Sequence, residues 1–150
     1  MLSLLPRIVA RVAEAVRGLA GVHGVAGIGA ELVAGKRLPA VFVAADGYRV
    51  LEVTGQLDAV RVGSRWLCCV AVRNVAEVRA GVAAGGDAAD LVEAVLAALT
   101  GWQPAPGYQA LRPIDAPRPI YVDGTLIYPI AFECGQLIRS TGSGPRTETN

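Results

Sequence analysis

The sequence predicts an α+β domain: a mixed, mostly antiparallel sheet with two main helices packed on it. Three observations carry this. Residues 60–74, VRVGSRWLCCVAVRN, read as one long strand. Its even positions (Val60, Val62, Ser64, Trp66, Cys68, Val70, Val72) form an almost unbroken apolar face, as strand side chains alternate between faces. Beyond a small-residue connector, EVRAGVAAGG, a helical stripe of Leu91, Val95 and Leu99 runs with Val92 and Leu96 beside it. The last third then returns to short alternating runs divided by Pro and Gly.

At 150 residues the chain is expected to form one domain over 1–139. Residues 140–150 (STGSGPRTETN) have the composition of a flexible tail. The net charge of +1 implies no general pull toward nucleic acid or acidic membranes. Thirteen of the fourteen basic residues are arginine. That fits a GC-rich coding bias, with selection for bidentate contacts as the second reading. No uncharged apolar run approaches the ~20 residues that span a bilayer, and the start, MLSLLPRIVARVAEAV, lacks the basic region and cleavage site of a secretory signal. No membrane partner is expected. Cys68, Cys69 and Cys134 have no metal-ligand spacing and read as buried thiols, with Cys68 and Cys69 on opposite faces.

Taken in order, Pro6 suits a first helical turn. Ile8, Val12, Val16 and Leu19 define an amphipathic helix of about four turns, ended by Gly18 and Gly21. The Gly-rich stretch 21–37 contains neither G-x-G-x-x-G nor a Walker A loop, so no nucleotide or other cofactor is expected. It reads as a short strand near Val22–Ile28 and a loop around Gly35–Arg37, with His23 a turn or surface residue. PAVFVAA is a central strand, apolar on both faces. Asp46-Gly47 signals a tight turn, which makes YRVLEVTG the returning strand of a hairpin, with a turn or bulge at Gly55-Gln56.

On the long strand, the odd positions Arg61, Gly63, Arg65, Leu67, Cys69, Ala71 and Arg73 are basic at both ends and apolar between. That pattern describes either a solvated face whose centre lies under a helix, the favoured reading, or an intersubunit or nucleic-acid surface. Val75–Arg79 suggests a helical turn. Asp87 and Asp90 stand where an N-cap and its third helical residue belong. Gly101 fits the position after the helix, with Trp102 folding back in a Schellman-type end. YQALRPID and PIYV are edge or bulged strands, and Asp123-Gly124 is a hairpin turn. In TLIYPIAFECGQLI, Leu126, Tyr128, Ile130, Phe132 and Cys134 share a face, and Pro129 implies an edge or a kink. Catalysis needs a nucleophile with a base, paired carboxylates or metal ligands. The chain has one histidine and no such motif, and Glu133 and Asp115 read as solvated surface acids. No enzyme activity and no catalytic or metal-binding residue is predicted.

The order of elements resembles the tail terminator (tail-completion) proteins of long-tailed bacteriophages, above all the group of Mu-like phages and prophages. The residues that carry the likeness are IVARVAEAVRGLAGV, PAVFVAADGYRV, VAVRNV with its Gly/Ala connector, DLVEAVLAALTGWQP, and VDGTLIYPIAFEC. The likeness spans roughly residues 5–138. It implies a mixed sheet flanked by helices and a homohexameric ring on the head-proximal end of the tail tube. The ring would end tube growth and offer the docking surface for the head and neck. Its partners would be other copies of itself, the tail tube protein, the head–tail connector proteins, and phage DNA passing through the lumen without sequence specificity. The protein would be made in the host cytoplasm and reside in the virion. Candidate subunit or partner contacts are Arg61, Arg65, Arg73, Lys36 and Arg37, with the 21–37 loop facing a partner. Another neck component, a head–tail adaptor or head-completion protein, is the alternative.

Overall fold

A computed structural model describes residues 2–29, 33–73 and 83–142, with the side chains of 83–87 excepted. Its elements are α1 (Leu4–Ala15), β1 (Gly21–Val25), β2 (Ala40–Val53), β3 (Ala59–Arg73), α2 (Ala83–Leu99), β4 (Arg112–Ile114), β5 (Ile120–Val122) and β6 (Thr125–Arg139). The six strands form one sheet in the order β1-β2-β3-β6-β4, with β5 also paired to β6. Only the β1–β2 pair is parallel. The expected α+β class, mixed and mostly antiparallel, is therefore the observed one.

The even face of β3 lies beneath both helices. Trp66, Cys68, Val70 and Val72 pack with Leu4, Ile8 and Val12 of α1, Val95 and Leu99 of α2, and Ile130, Phe132 and Cys134 of β6. The Trp66 indole N–H donates to Ser64 Oγ at 3.0 Å, and that hydroxyl donates to the Cys134 carbonyl at 3.3 Å. A buried polar pair is thus satisfied within the apolar layer. The odd face has its own smaller cluster of Ala40, Phe42, Cys69, Ala71 and Ile127. Neither α1 nor α2 packs on it; Val25, Ile28, Val33 and Leu38 do. Cys68 and Cys69 accordingly belong to different clusters.

Helix α1 begins at Leu4, so Pro6 falls in the first turn, and it ends at Ala15, one turn short of the expected length. Arg11 ties it to α2. Its Nε donates to the Ala98 carbonyl at 3.0 Å, and its guanidinium lies 5.8 Å from the Trp102 ring centroid. Helix α2 begins at Ala83, so Asp87 sits a turn inside it and is not its N-cap, and Asp90 is not its third residue. Ala83 and Ala84 are strong helix formers, and Gly85 and Gly86 the weak members of that first turn. Gly101 takes φ +80° as expected. Its amide, however, donates to the Leu111 carbonyl and the Trp102 amide to Leu99, so the end lacks the Schellman bonding pattern. The helical turn expected at Val75–Arg79 lies outside the described residues.

Other expectations are corrected by pairing. His23 is in β1, not a turn, and stacks on Phe42 with ring centroids 5.3 Å apart. Asp46-Gly47 does not reverse the chain: β2 runs on to Val53 along the same partner. The two residues are looped out between the pairs Ala45–Trp66 and Tyr48–Ser64, and Gly47 supplies φ +79°, the conformation such a bulge requires. The reversal comes at Thr54–Asp58, with Leu57 N–H bonded to the Thr54 carbonyl. At Asp123-Gly124 the hairpin is as predicted, with φ of 49° and 75°. Strand β6 is not an edge: β3 pairs its whole length on one side. On its other side β5 covers residues 125–127 and β4 covers 131–133, and Pro129 falls in the gap between them.

Candidate assembly surface

The cluster beneath the helices ends near Trp66 and Cys134 and the other near Cys69, but three strands do not. β2 (from Tyr48), β3 (to Val60) and β6 (to Arg139) continue as a three-stranded arm. Along β2 its helix-side face is apolar and open: Tyr48 is 61% exposed, Val50 54%, Val53 49%, and Leu57 at the tip 71%, while Val62 of β3 beside them is buried. Such a patch is unusual on a surface that meets only water. The second face is charged, with Arg49, Glu52, Arg61 and Arg139 aligned on it by strand register.

At the root of the arm lies a carboxylate that sequence reasoning misplaced. Glu133 is 4% exposed, not a solvated surface acid. Arg49 of β2 donates to it through Nε at 2.7 Å and through a terminal nitrogen at 3.1 Å, and Arg112 of β4 grips it from the other side. These hydrogen bonds, Arg49 first, hold the Glu133 carboxyl below the usual carboxylate range, and the hydrogen bond to Glu133, then its charge, raises Arg49. The carboxylate lies over Gly63, where an added Cβ would come within 2.6 Å of Glu133 Cδ. Asp115, by contrast, is exposed as expected. The one trace of this arrangement in the sequence is a glycine in the middle of a strand otherwise rich in large residues, a known mark of close approach.

The five basic residues expected at a contact do not form one group. Arg65 is engaged within the chain: its Nε donates to Asp46 at 2.8 Å, and it reaches the Asp115 carbonyl at 3.5 Å, pinning the β2 bulge. Arg61 sits on the arm, 3.7 Å from Glu52. Arg73 stands at the far end of β3, twelve residues from Arg61, or about 40 Å at strand rise. It borders a depression of about 400 Å³ with Leu38, Pro39, Asp90 and Leu91. Lys36 and Arg37 are exposed in the turn before the cis Leu38-Pro39 bond, toward that same end. The 21–25 part of the expected partner loop is instead sheet.

Among the described residues there is no group of three His, Cys, Asp or Glu side chains placed to hold a metal. Burial pushes the Cys69 and Cys134 thiols up to about 11 and Cys68 higher still, so all three are protonated near neutral pH and poor nucleophiles. No helix among the described residues is long and apolar enough to cross a membrane.

The described residues thus present an apolar arm, charges paired across strands and protonated thiols. The chain belongs to the phage tail terminator family, whose profile, described as phage tail terminator protein, matches residues 2–143. The match is to the family and does not single out the Mu-like group. Membership makes the protein a structural component of a bacteriophage tail, and hence of the virion. No curated protein sequence matches the chain significantly.

Proposed function

We propose that this chain forms a closed ring of copies on the head-proximal end of the tail tube. The ring stops addition of tube subunits and offers the surface on which the neck of the filled head docks. The observation that carries this reading is the arm. Three strands outrun the core and hold Tyr48, Val50, Val53 and Leu57 in water, which favours burial against another chain. A ring needs contacts in which one surface of a subunit meets a different surface of the next, and the two faces and two edges of the arm differ in this way. In this reading phage DNA passes through the centre without sequence readout, and tail tube and neck proteins contact opposite sides of the ring.

The test is tail length by negative-stain electron microscopy after deleting the gene from its parent phage or prophage. Overlong tails of variable length, without heads, are expected. Tails of normal length that fail to join heads would make the protein a neck adaptor or head-completion protein instead. Intact infectious particles would overturn both.

A further inference from the structure

The arm has two edges. On the β2 side, β1 pairs only as far as Ala44, so among the described residues no strand covers β2 from Ala45 to Val53. On the β6 side, the Tyr108–Gln136 bridge and the Gln109 amide on the Gly135 carbonyl close the edge up to Gln136. Leu137, Ile138 and Arg139 are paired with β3 alone. Bare strand edges expose backbone donors and acceptors that accept another strand.

We propose that these two edges join a second copy of the chain, β2 of one subunit running beside the tip of β6 in the next. The inference rests on the ring reading above and names its contact. Both strands are antiparallel to β3 and so run the same way toward the tip. Subunits turned about an axis along the arm therefore pair them in parallel. Neighbours across a sheet share a face, and this fixes the register. Glu52 and Arg139 are on the charged face, opposite Arg61 and Ala59 of β3; Val50 and Ile138 are on the apolar face, opposite Val62 and Val60. β2 carries an irregularity between Val50 and Glu52 that loops out Leu51. One alignment then sets Glu52 beside Arg139 and Val50 beside Ile138 together. Glu52 is 69% exposed and only loosely held by Arg61 at 3.7 Å, and Val50 and Ile138 are 54% and 37% exposed. Charge and apolar surface are matched across the junction by one stagger, about two residues relative to the pairing within a subunit. Such a stagger is what closing a sheet into a ring demands.

Two measurements test this on the full chain, alone and on purified tail tubes. First, Val50→Cys with Ile138→Cys in one chain is oxidised and run without reductant. A covalent ladder of oligomers is expected, absent from either single variant. The native cysteines are buried and protonated and do not contribute. Second, Glu52→Arg and Arg139→Glu are each expected to weaken assembly by roughly fivefold, the scale of one exposed ion pair, and the double swap to restore it. A wild-type ring that yields no ladder and ignores the charge changes overturns this junction and leaves the ring standing. Charge variants that form rings but no longer bind tubes assign the edge to the tube subunit and overturn it as well. A wild-type chain that stays monomeric in solution and on tubes overturns the ring itself, and the junction with it.

Discussion

Glu133 reaches across β3, which separates β2 from β6, and adds a side-chain tie between β6 and its paired neighbour β4. Through Arg49 and Arg112 it links β2, β6 and β4 at the root of the arm. Both arginines keep more than half their surface in water, so losing the carboxylate does not strand a charge in the core. Glu133→Gln should therefore cost about 1–3 kcal/mol, the loss of charge-assisted hydrogen bonds at a buried acceptor, seen as a Tm fall of roughly 3–10 °C. The pH dependence has a definite sign. The folded carboxyl titrates below its unfolded value, which is about 4.3. Its contribution is complete above that value and is lost as pH falls through the folded one. The gap in Tm between wild type and Glu133→Gln should be constant near neutrality and shrink below about pH 4. A gap that persists unchanged at acid pH would show that shape, not charge, makes the difference. The role of Glu133 was not readable from sequence, because its partners lie 84 and 21 residues away and local pattern carries no such pairing.

Among the elements, what was legible followed local periodicity. The alternation over 60–73 gave the long strand, Leu91, Val95 and Leu99 gave the buried stripe of α2, and the second Asp-Gly gave its hairpin. The first Asp-Gly was misread because turns and bulges make the same local demand, a residue at positive φ. Only the partner decides, and here Tyr48–Val53 returns to β3. Pro129 misled in the same way: it forbids a donor, and the gap between β4 and β5 supplies a place where none is needed. The basic residues of β3 were identified, but not their carboxylates, Asp46 and Glu52. Arg65→Glu would consequently unpin the bulge and report on folding as well as on contacts. Two glycines make the element-scale prediction. Gly47 has φ +79° and open space around it, so Gly47→Ala should destabilise by about 1–2 kcal/mol through backbone strain alone. Gly55 has open space and no positive φ, so Gly55→Ala should stay within about 0.5 kcal/mol of wild type. Urea denaturation of both variants checks the pair, and equal losses would contradict the bulge.

For the molecule as a whole, the question is whether two clusters on opposite faces of one sheet fold as one unit. Nothing in the sequence answers it, since the face away from α1 and α2 is covered by Val25, Ile28, Val33 and Leu38, which follow no regular spacing. The cysteines report on it without any mutation. Cys68 lies in the cluster beneath the helices, Cys69 in the cluster on the other face, and Cys134 at the root of the arm with its thiol toward the Gln109 carbonyl at 3.2 Å. All three are buried and held protonated, so a thiol reagent at neutral pH reacts only with molecules that have opened. Because β3 carries both Cys68 and Cys69 and is central to the sheet, lifting either cluster alone exposes one face of a strand still paired on both sides. Under mild urea, the three cysteines should be labelled at one common rate, and that rate should track global unfolding. Peptide mapping of partly labelled protein reads the three sites separately. Early labelling of Cys69 alone would mean that the loop-covered face opens by itself. The sheet and its helices would then be the stable body, and Val25, Ile28, Val33 and Leu38 a cover laid on it.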